Sequence, residues 1–130
     1  MASNDAIQSA ISAYVGAIAA MNPDGIAATF APDGVSYDPP GAPPRHGQDA
    51  IRDLFQGLFG GAAKLDFAAD GVFVVGDDAA FKWTGHLTAK SGRTIAFAGI
   101  DVITVADDGK IQSLHGYWDP APVMAALQGQ

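Results

Sequence analysis

Residues 94–105 read TIAFAGIDVITV, a run that predicts a long strand with one acid inside it. Its members other than Asp101 are apolar, small or β-branched, which is a composition that favours a strand. Because side chains alternate between the two faces of a strand, Asp101 would share a face with Phe97, Gly99 and Ile103. Its carboxyl is therefore expected to point into apolar surroundings, where aspartate is seldom fully buried.

A carboxyl in apolar surroundings is expected to keep its proton. Burial favours the neutral acid and can raise the pKa of an aspartate from about 3.9 to 7 or higher. A neutral carboxylic acid donates a hydrogen bond, and a donor that faces a developing oxyanion stabilises a transition state. Two structural interpretations stay open beside this one. Asp101 could be a carboxylate paired internally, for example with Lys82 or Arg93, or it could point outward from the strand.

More strands are predicted on both sides of this run, because turn residues separate four segments of strand composition. The turns are GDD at residues 76–78, KSG at 90–92 and DDG at 107–109. Short turns of this chemistry join antiparallel neighbours. The four predicted strands are residues 65–75, 79–89, 93–105 and 110–118.

The first half of the chain predicts helices. Apolar residues at helical spacing indicate a first helix that begins near residues 3–5, ends before Asn22 and carries Tyr14 on its apolar face. Asn22, which is followed by a proline, fits the start of a short second helix that runs through Phe30 and stops at the PDG of residues 32–34. Further helices are predicted over residues 48–59 and 122–127.

Asp38 follows a short predicted strand, residues 35–38, and precedes a loop rich in proline, residues 39–44. A segment with this much proline cannot pair as a central strand, so Asp38 is expected at the rim of the sheet. The two aspartates then lie in opposite settings, with Asp101 inside an apolar strand and Asp38 beside polar groups. Opposite settings separate the pKa values of two carboxyls, which is how acid and base roles are divided.

Helices followed by an antiparallel meander predict an α+β fold. A curved, mostly antiparallel sheet would wrap three N-terminal helices to form a conical barrel. A chain of 130 residues fits one domain, residues 1–130, and is long enough to bury a continuous core.

Composition excludes several classes of function. The net charge of −7 and the scattered Lys and Arg residues argue against a nucleic-acid partner. The absence of cysteine excludes disulfides and a thiolate nucleophile. No signal segment or membrane span is predicted, so a soluble cytoplasmic protein is expected. His46, His86 and His115 lack the spacing of metal ligands, so no metal site is expected.

Tyr14 on the first helix, Asp38 before a proline and Asp101 inside a late strand together resemble the bacterial ketosteroid isomerase family. The PPRHG of residues 43–47 and the YWD of residues 117–119 extend the likeness to nearly the whole chain. That family belongs to the nuclear transport factor 2-like, or SnoaL-like, superfamily of cystatin-like folds. Its conical pocket also hosts dehydratases, polyketide cyclases, epoxide hydrolases and binding proteins, so the fold alone implies little about function.

The resemblance implies a steroid Δ5-isomerase that needs no cofactor. Asp38 would be the general base, and Tyr14 and protonated Asp101 would form an oxyanion hole that binds the carbonyl oxygen of a Δ5-3-ketosteroid. This enzyme family is an established example of a carboxylic acid kept neutral by its site. Trp118 would orient Asp38 through its indole N–H. The other residues implied to contact the hydrophobic steroid are Phe30, Phe55, Phe97 and Trp118, where Phe30 and Phe55 stand in place of tyrosines found in some members.

The resemblance leaves an alternative function and implies a partner. A binding protein or a sister enzyme of the superfamily would use the same cone for another hydrophobic ligand, and a sister enzyme would need an Asp–Arg or Asp–His network. Arg45 and His46 lie near enough to Asp38 in sequence to supply one. Members of the family are commonly homodimers, and the predicted outer face of residues 82–88, which carries Lys82, Thr84, His86 and Thr88, would be available for such an interface.

Overall fold

The computed structural model describes residues 1–129, which form helices on one face of a six-stranded sheet. The helices are α1 (Asn4–Ala19), α2 (Pro23–Ala28), α3 (Gln48–Phe59) and α4 (Ala121–Leu127). The strands are β1 (Phe30–Tyr37), β2 (Arg45–His46), β3 (Ala62–Val75), β4 (Asp78–Ala89), β5 (Thr94–Val105) and β6 (Ile111–Tyr117). The helix over residues 48–59 and the four long strands lie where the sequence predicts them, within a few residues.

The sheet confirms the predicted α+β fold. Its strand order is β2-β1-β6-β5-β4-β3, in which β1 and β6 are parallel and all other neighbours are antiparallel. The sheet is curved but does not close, because β2 and β3 form its two edges. The predicted cone is therefore completed by helices rather than by a closed barrel of strands.

Side chains cap the first two helices as the sequence indicates. The Ala6 backbone N–H donates to the Ser3 hydroxyl at 3.1 Å, and the Gly25 N–H donates to Oδ1 of Asn22 at 3.0 Å. Each cap satisfies an N–H that has no partner inside its helix. In α2 the residue after the cap is Pro23, whose missing N–H costs nothing at that position.

The prediction that the second helix runs through Phe30 is wrong. The helix ends at Ala28, and Phe30 begins β1 opposite Ile111 of β6. The Gln48 side-chain amide also donates to the Phe30 carbonyl oxygen at 2.7 Å. The PDG of residues 32–34 lies inside β1, where the register shifts between Phe30 and Val35. An irregularity of this kind accepts a proline within a strand.

The core lies between α1 and the inner face of the sheet. On α1 the buried residues are Ile7, Ala10, Ile11, Tyr14, Val15 and Ile18. A second, smaller cluster joins Val123 and Ala126 of α4 to Leu87 of β4. The outer face of β4 exposes Lys82, Thr84 and His86, as the alternation predicts. None of the helices within residues 1–129 is long and apolar enough to cross a membrane.

Candidate active site

An apolar cavity opens between α1, α3, α4 and the inner face of β3, β4 and β5. It encloses about 710 Å³ of empty space, its open mouth included. The apolar walls include Leu54, Leu58, Leu65, Phe67, Leu87 and Val123. The titratable groups that line this cavity come from Tyr14, Asp38 and Asp101, so the structure brings the three predicted catalytic residues together.

Asp101 is one of the most deeply buried polar residues described, at 2% exposed. It lies on β5 opposite Phe81, and the Trp83 indole N–H donates to its Oδ1 at 3.0 Å. The interpretations that paired it with Lys82 or Arg93, or pointed it outward, are wrong, because the alternation of β5 turns it inward to Trp83. Burial, followed by the nearby charge of Asp38, raises the pKa of Asp101 to about 8, against the opposing effect of the Trp83 hydrogen bond. The carboxyl is therefore mostly neutral at pH 7.

Asp38 directly follows β1 and is followed by a cis peptide bond to Pro39. The Trp118 indole N–H donates to its Oδ1 at 2.6 Å, which is the orienting contact implied for Trp118. Burial raises the pKa of Asp38 to about 6, and the Trp118 hydrogen bond limits that rise. Asp38 is therefore mostly ionised at pH 7, and the two carboxyls of the cavity carry opposite protonation states.

Tyr14 is 1% exposed and projects from α1 into the same cavity. Burial and then the charges of Asp101 and Asp38 raise the pKa of its hydroxyl well above the usual range, so the hydroxyl keeps its proton. Within residues 1–129 this hydroxyl has no hydrogen-bond partner. It is consequently available to donate to a ligand in the cavity.

Three of the four predicted substrate-contacting residues line the cavity, namely Phe55, Phe97 and Trp118. Phe30 does not line it. Its ring packs edge-on against Tyr14, with 6.0 Å between the ring centroids and 77° between the planes. In this structure Phe30 packs against the Tyr14 ring and lies outside the cavity.

Three glycines on the inner face make room for the site, a role that was not predicted for them. A Cβ at Gly116 would clash with the carboxyl of Asp38, and a Cβ at Gly85 would lie 2.6 Å from the Phe97 ring. A Cβ at Gly99 would lie 2.6 Å from Trp83. A glycine inside a strand often marks a close approach of this kind, so their inward positions were the available signal.

Trp83 is a functional candidate that the sequence did not indicate. Its hydrogen bond to Asp101 joins β4 to β5 on a diagonal, because Trp83 is opposite Gly99 in the register. No local pattern in the sequence indicates such a contact.

Arg45 and His46 form β2, and within residues 1–129 neither makes an ion pair with Asp38. The hydrogen bond to Asp38 comes from Trp118 instead. The Asp–Arg or Asp–His network that a sister enzyme would need is therefore absent from residues 1–129. Residues 1–129 contain no cluster of three or more His, Asp or Glu side chains able to hold a metal ion.

Comparisons with known proteins identify the family and agree on the fold. A family model described as a SnoaL-like domain matches residues 11–114. A curated protein of Nocardioides simplex named steroid Delta-isomerase is 32% identical over 119 residues, which cover 91% of this chain and 94% of that protein. A crystal structure of an NTF2-like protein of unknown function from Burkholderia pseudomallei superposes with a TM-score of 0.77 at 20% identity. This structural match covers 94% of this chain and 96% of the Burkholderia chain, and at this identity the match supports the fold alone.

Proposed function

This chain belongs to the SnoaL-like domain family, and from the groups in its cavity we propose that it is a steroid Δ5-isomerase. The reaction converts a Δ5-3-ketosteroid into the conjugated Δ4-3-ketosteroid without a cofactor. The similarity to a steroid Delta-isomerase over most of the chain supports an isomerase. The observation that carries the proposal is the pairing of an ionised Asp38 with a neutral Asp101 in one apolar cavity.

In this mechanism Asp38 is the general base. Its carboxylate removes a proton from the carbon between the carbonyl and the alkene, which leaves a dienolate. The protonated Asp38 then returns the proton to the far end of the dienolate, so substrate and product have the same atoms. The pKa of about 6 suits a group that must both accept and return a proton near neutral pH.

The oxyanion hole consists of Tyr14 and protonated Asp101. Negative charge collects on the carbonyl oxygen as the dienolate forms, and both residues donate hydrogen bonds to it. A donor placed in this way in a dry site stabilises the transition state by about 3 kcal/mol, or about 10² to 10³ in rate. A steroid that fills the apolar cavity would displace water from the site, which would strengthen both hydrogen bonds.

The geometry favours this function over the alternatives. A pure binding protein has no need of an ionised carboxylate in an apolar cavity, because burying that charge costs free energy. A sister enzyme that activates water would place a cation or a histidine on Asp38, where this structure places the indole of Trp118.

Ultraviolet absorbance tests the proposal, because the conjugated product absorbs where the substrate does not. We expect purified protein to convert 5-androstene-3,17-dione rapidly and the Asp38→Asn variant to be nearly inactive. Conversion at the buffer rate by the unaltered protein would overturn the proposal. Binding of a phenolic steroid in that case would identify a binding protein or another enzyme that uses the same cavity.

A further inference from the structure

Trp83 contacts Asp101 of the proposed oxyanion hole. Its N–H is used in this contact and does not donate to the substrate. Trp83 is 3% exposed on β4, and its one N–H is directed at Oδ1 of Asp101. Three aromatic rings hold the indole in place. Their centroids lie 4.9 Å (Phe67), 5.6 Å (Phe97) and 5.8 Å (Trp118) from that of Trp83.

The chemistry of the indole determines which oxygen of Asp101 carries the proton. An indole N–H only donates, so the oxygen that it contacts must accept. In a neutral carboxylic acid the better acceptor is the oxygen without the proton, and the proton then lies on the other oxygen. For Asp101 the acceptor is Oδ1, which leaves the proton on Oδ2. Within residues 1–129 Oδ2 has no hydrogen-bond partner, and Asp101 lines the cavity.

We propose that Trp83 is a positioning residue that confines the proton of Asp101 to Oδ2, so that the acid donates into the cavity. This inference rests on the proposed role of Asp101 as an oxyanion donor. Without the indole N–H the acid can rotate or carry its proton on either oxygen, and only one of these arrangements donates to the substrate. The proton is then no longer preorganised for the transition state.

The other groups that face Asp101 do not replace this function. Tyr14 reaches the cavity from α1, and its hydroxyl is directed to the ligand in the proposed mechanism. Asp38 approaches from the end of β1 and is ionised, so it donates nothing. Lys82 of β4 points to the outer face of the sheet.

Trp118 provides a matched control, because it gives its indole N–H to the other carboxyl of the same cavity. Trp83→Phe and Trp118→Phe remove the same group and keep an aromatic ring. The first deprives neutral Asp101 of its donor, and the second deprives ionised Asp38 of its donor. A third variant, Phe67→Leu, loosens the packing around Trp83 and keeps its N–H.

The test combines steady-state kinetics with ¹³C NMR titration of labelled aspartate carboxyls, assigned with Asp101→Asn and Asp38→Asn. For Trp83→Phe we expect kcat to fall about tenfold with KM changed less than about twofold, a fraction of what the whole donor supplies. The midpoint of Asp101 should move to higher pH, because the hydrogen bond to its ionised form is lost. Trp118→Phe should raise the midpoint of Asp38, and Phe67→Leu should leave the midpoint of Asp101 in place.

A merely structural role for Trp83 gives the opposite sign. If Trp83→Phe only loosens the core and admits water, the midpoint of Asp101 moves down towards that of an exposed aspartate. That result, or a kcat within about twofold of the unaltered protein, would overturn the proposal. If the unaltered protein does not isomerise the ketosteroid, the proposed function has failed, and the direction of the Asp101 titration alone decides whether Trp83 holds its carboxyl.

Discussion

Gly116 of β6 lies against the carboxyl of Asp38, so close that a Cβ on this glycine would overlap the carboxyl oxygen Oδ1. The same oxygen accepts the hydrogen bond of Trp118. The position of Asp38, the proposed base, therefore depends on the absence of a side chain at Gly116. That dependence makes Gly116 the sharpest single test of how Asp38 is held.

We expect Gly116→Ala to lower kcat by about tenfold or more and to reduce stability by about 1 to 3 kcal/mol. The added methyl group must displace the carboxyl, and overpacking of a filled site costs about this much. Denaturant unfolding and isomerase kinetics measure the two effects. The matched control is Gly57→Ala, because a Cβ at Gly57 in α3 meets nothing within 4 Å.

The control should gain about 0.5 to 1 kcal/mol, since alanine is favoured over glycine in a helix, and should keep its activity. If Gly116→Ala retains full kcat while Gly57→Ala behaves as expected, Asp38 does not depend on this space.

The rate should depend on pH through a bell-shaped profile. The acid limb reports the ionisation of Asp38, whose pKa is about 6, and the alkaline limb reports the loss of the proton from Asp101, whose pKa is about 8. Activity is then highest near pH 7. The profile of kcat/KM measures these values for the free enzyme. Asp101→Asn should remove the alkaline limb, because an amide remains a donor at all pH values, and a limb that persists in this variant would exclude Asp101 as its origin.

Stability should fall as pH rises from about 4 towards 8 because of the same two carboxyls. The folded state raises both pKa values, so between the usual aspartate pKa of about 3.9 and the raised values the unfolded chain holds fewer protons. The contribution of each group is fully present below pH 4 and is lost as pH approaches its folded pKa. The contribution of Asp38 to stability is lost as pH rises to about 6, and that of Asp101 as pH rises to about 8.

Thermal unfolding across this pH range checks the prediction, with Asp101→Asn as the comparison. The difference in melting temperature between the variant and the unaltered protein should grow in favour of the variant as pH rises from 4 to 8. A difference independent of pH would mean that Asp101 is not held neutral by the fold.

Loss of either oxyanion donor should reduce kcat by about 10² to 10³. Tyr14→Phe removes one hydroxyl and keeps the ring that packs on Phe30. Asp101→Leu removes the other donor and leaves the Trp83 N–H without its acceptor, so it should also reduce stability by about 1 to 3 kcal/mol. Single-turnover rates for the two variants and the double variant show whether the donors act on the same oxygen. Equal rates for Tyr14→Phe and the unaltered protein would remove Tyr14 from the oxyanion hole.

Much of the fold was predictable because its signals are local. The bounds of α3 follow from apolar spacing over residues 48–59, and the turns between the long strands follow from their glycines. The end of α2 was not predictable in this way. Whether Phe30 continues the helix or starts a strand depends on its pairing with Ile111, which is distant in sequence.

The candidate site likewise has features that local sequence signals predict and features that they do not. Asp101 is conspicuous in the sequence because an acid interrupts an apolar strand, and Tyr14 lies on an apolar helix face. The Trp118 contact with Asp38 was implied by the family resemblance alone, and the Trp83 contact with Asp101 was not predicted, because each indole is distant in sequence from the carboxyl that it contacts. The register that aligns Trp83 with Gly99 is set by the whole β4–β5 pair rather than by either residue.

Self-association through the outer face of the sheet remains a prediction, and the structure sharpens its test. Ile100 of β5 and Tyr117 of β6 are opposite each other in the register and are 47% and 61% exposed. A pair of large apolar side chains at this place suits an interface between two copies of the chain. We expect a dimeric mass by light scattering at micromolar concentration and a monomeric mass for Ile100→Glu, since a buried unpaired carboxylate opposes association. His86→Ala on the same face removes no apolar contact and should keep the dimer. A monomeric mass for the unaltered protein would rule out this interface at that concentration.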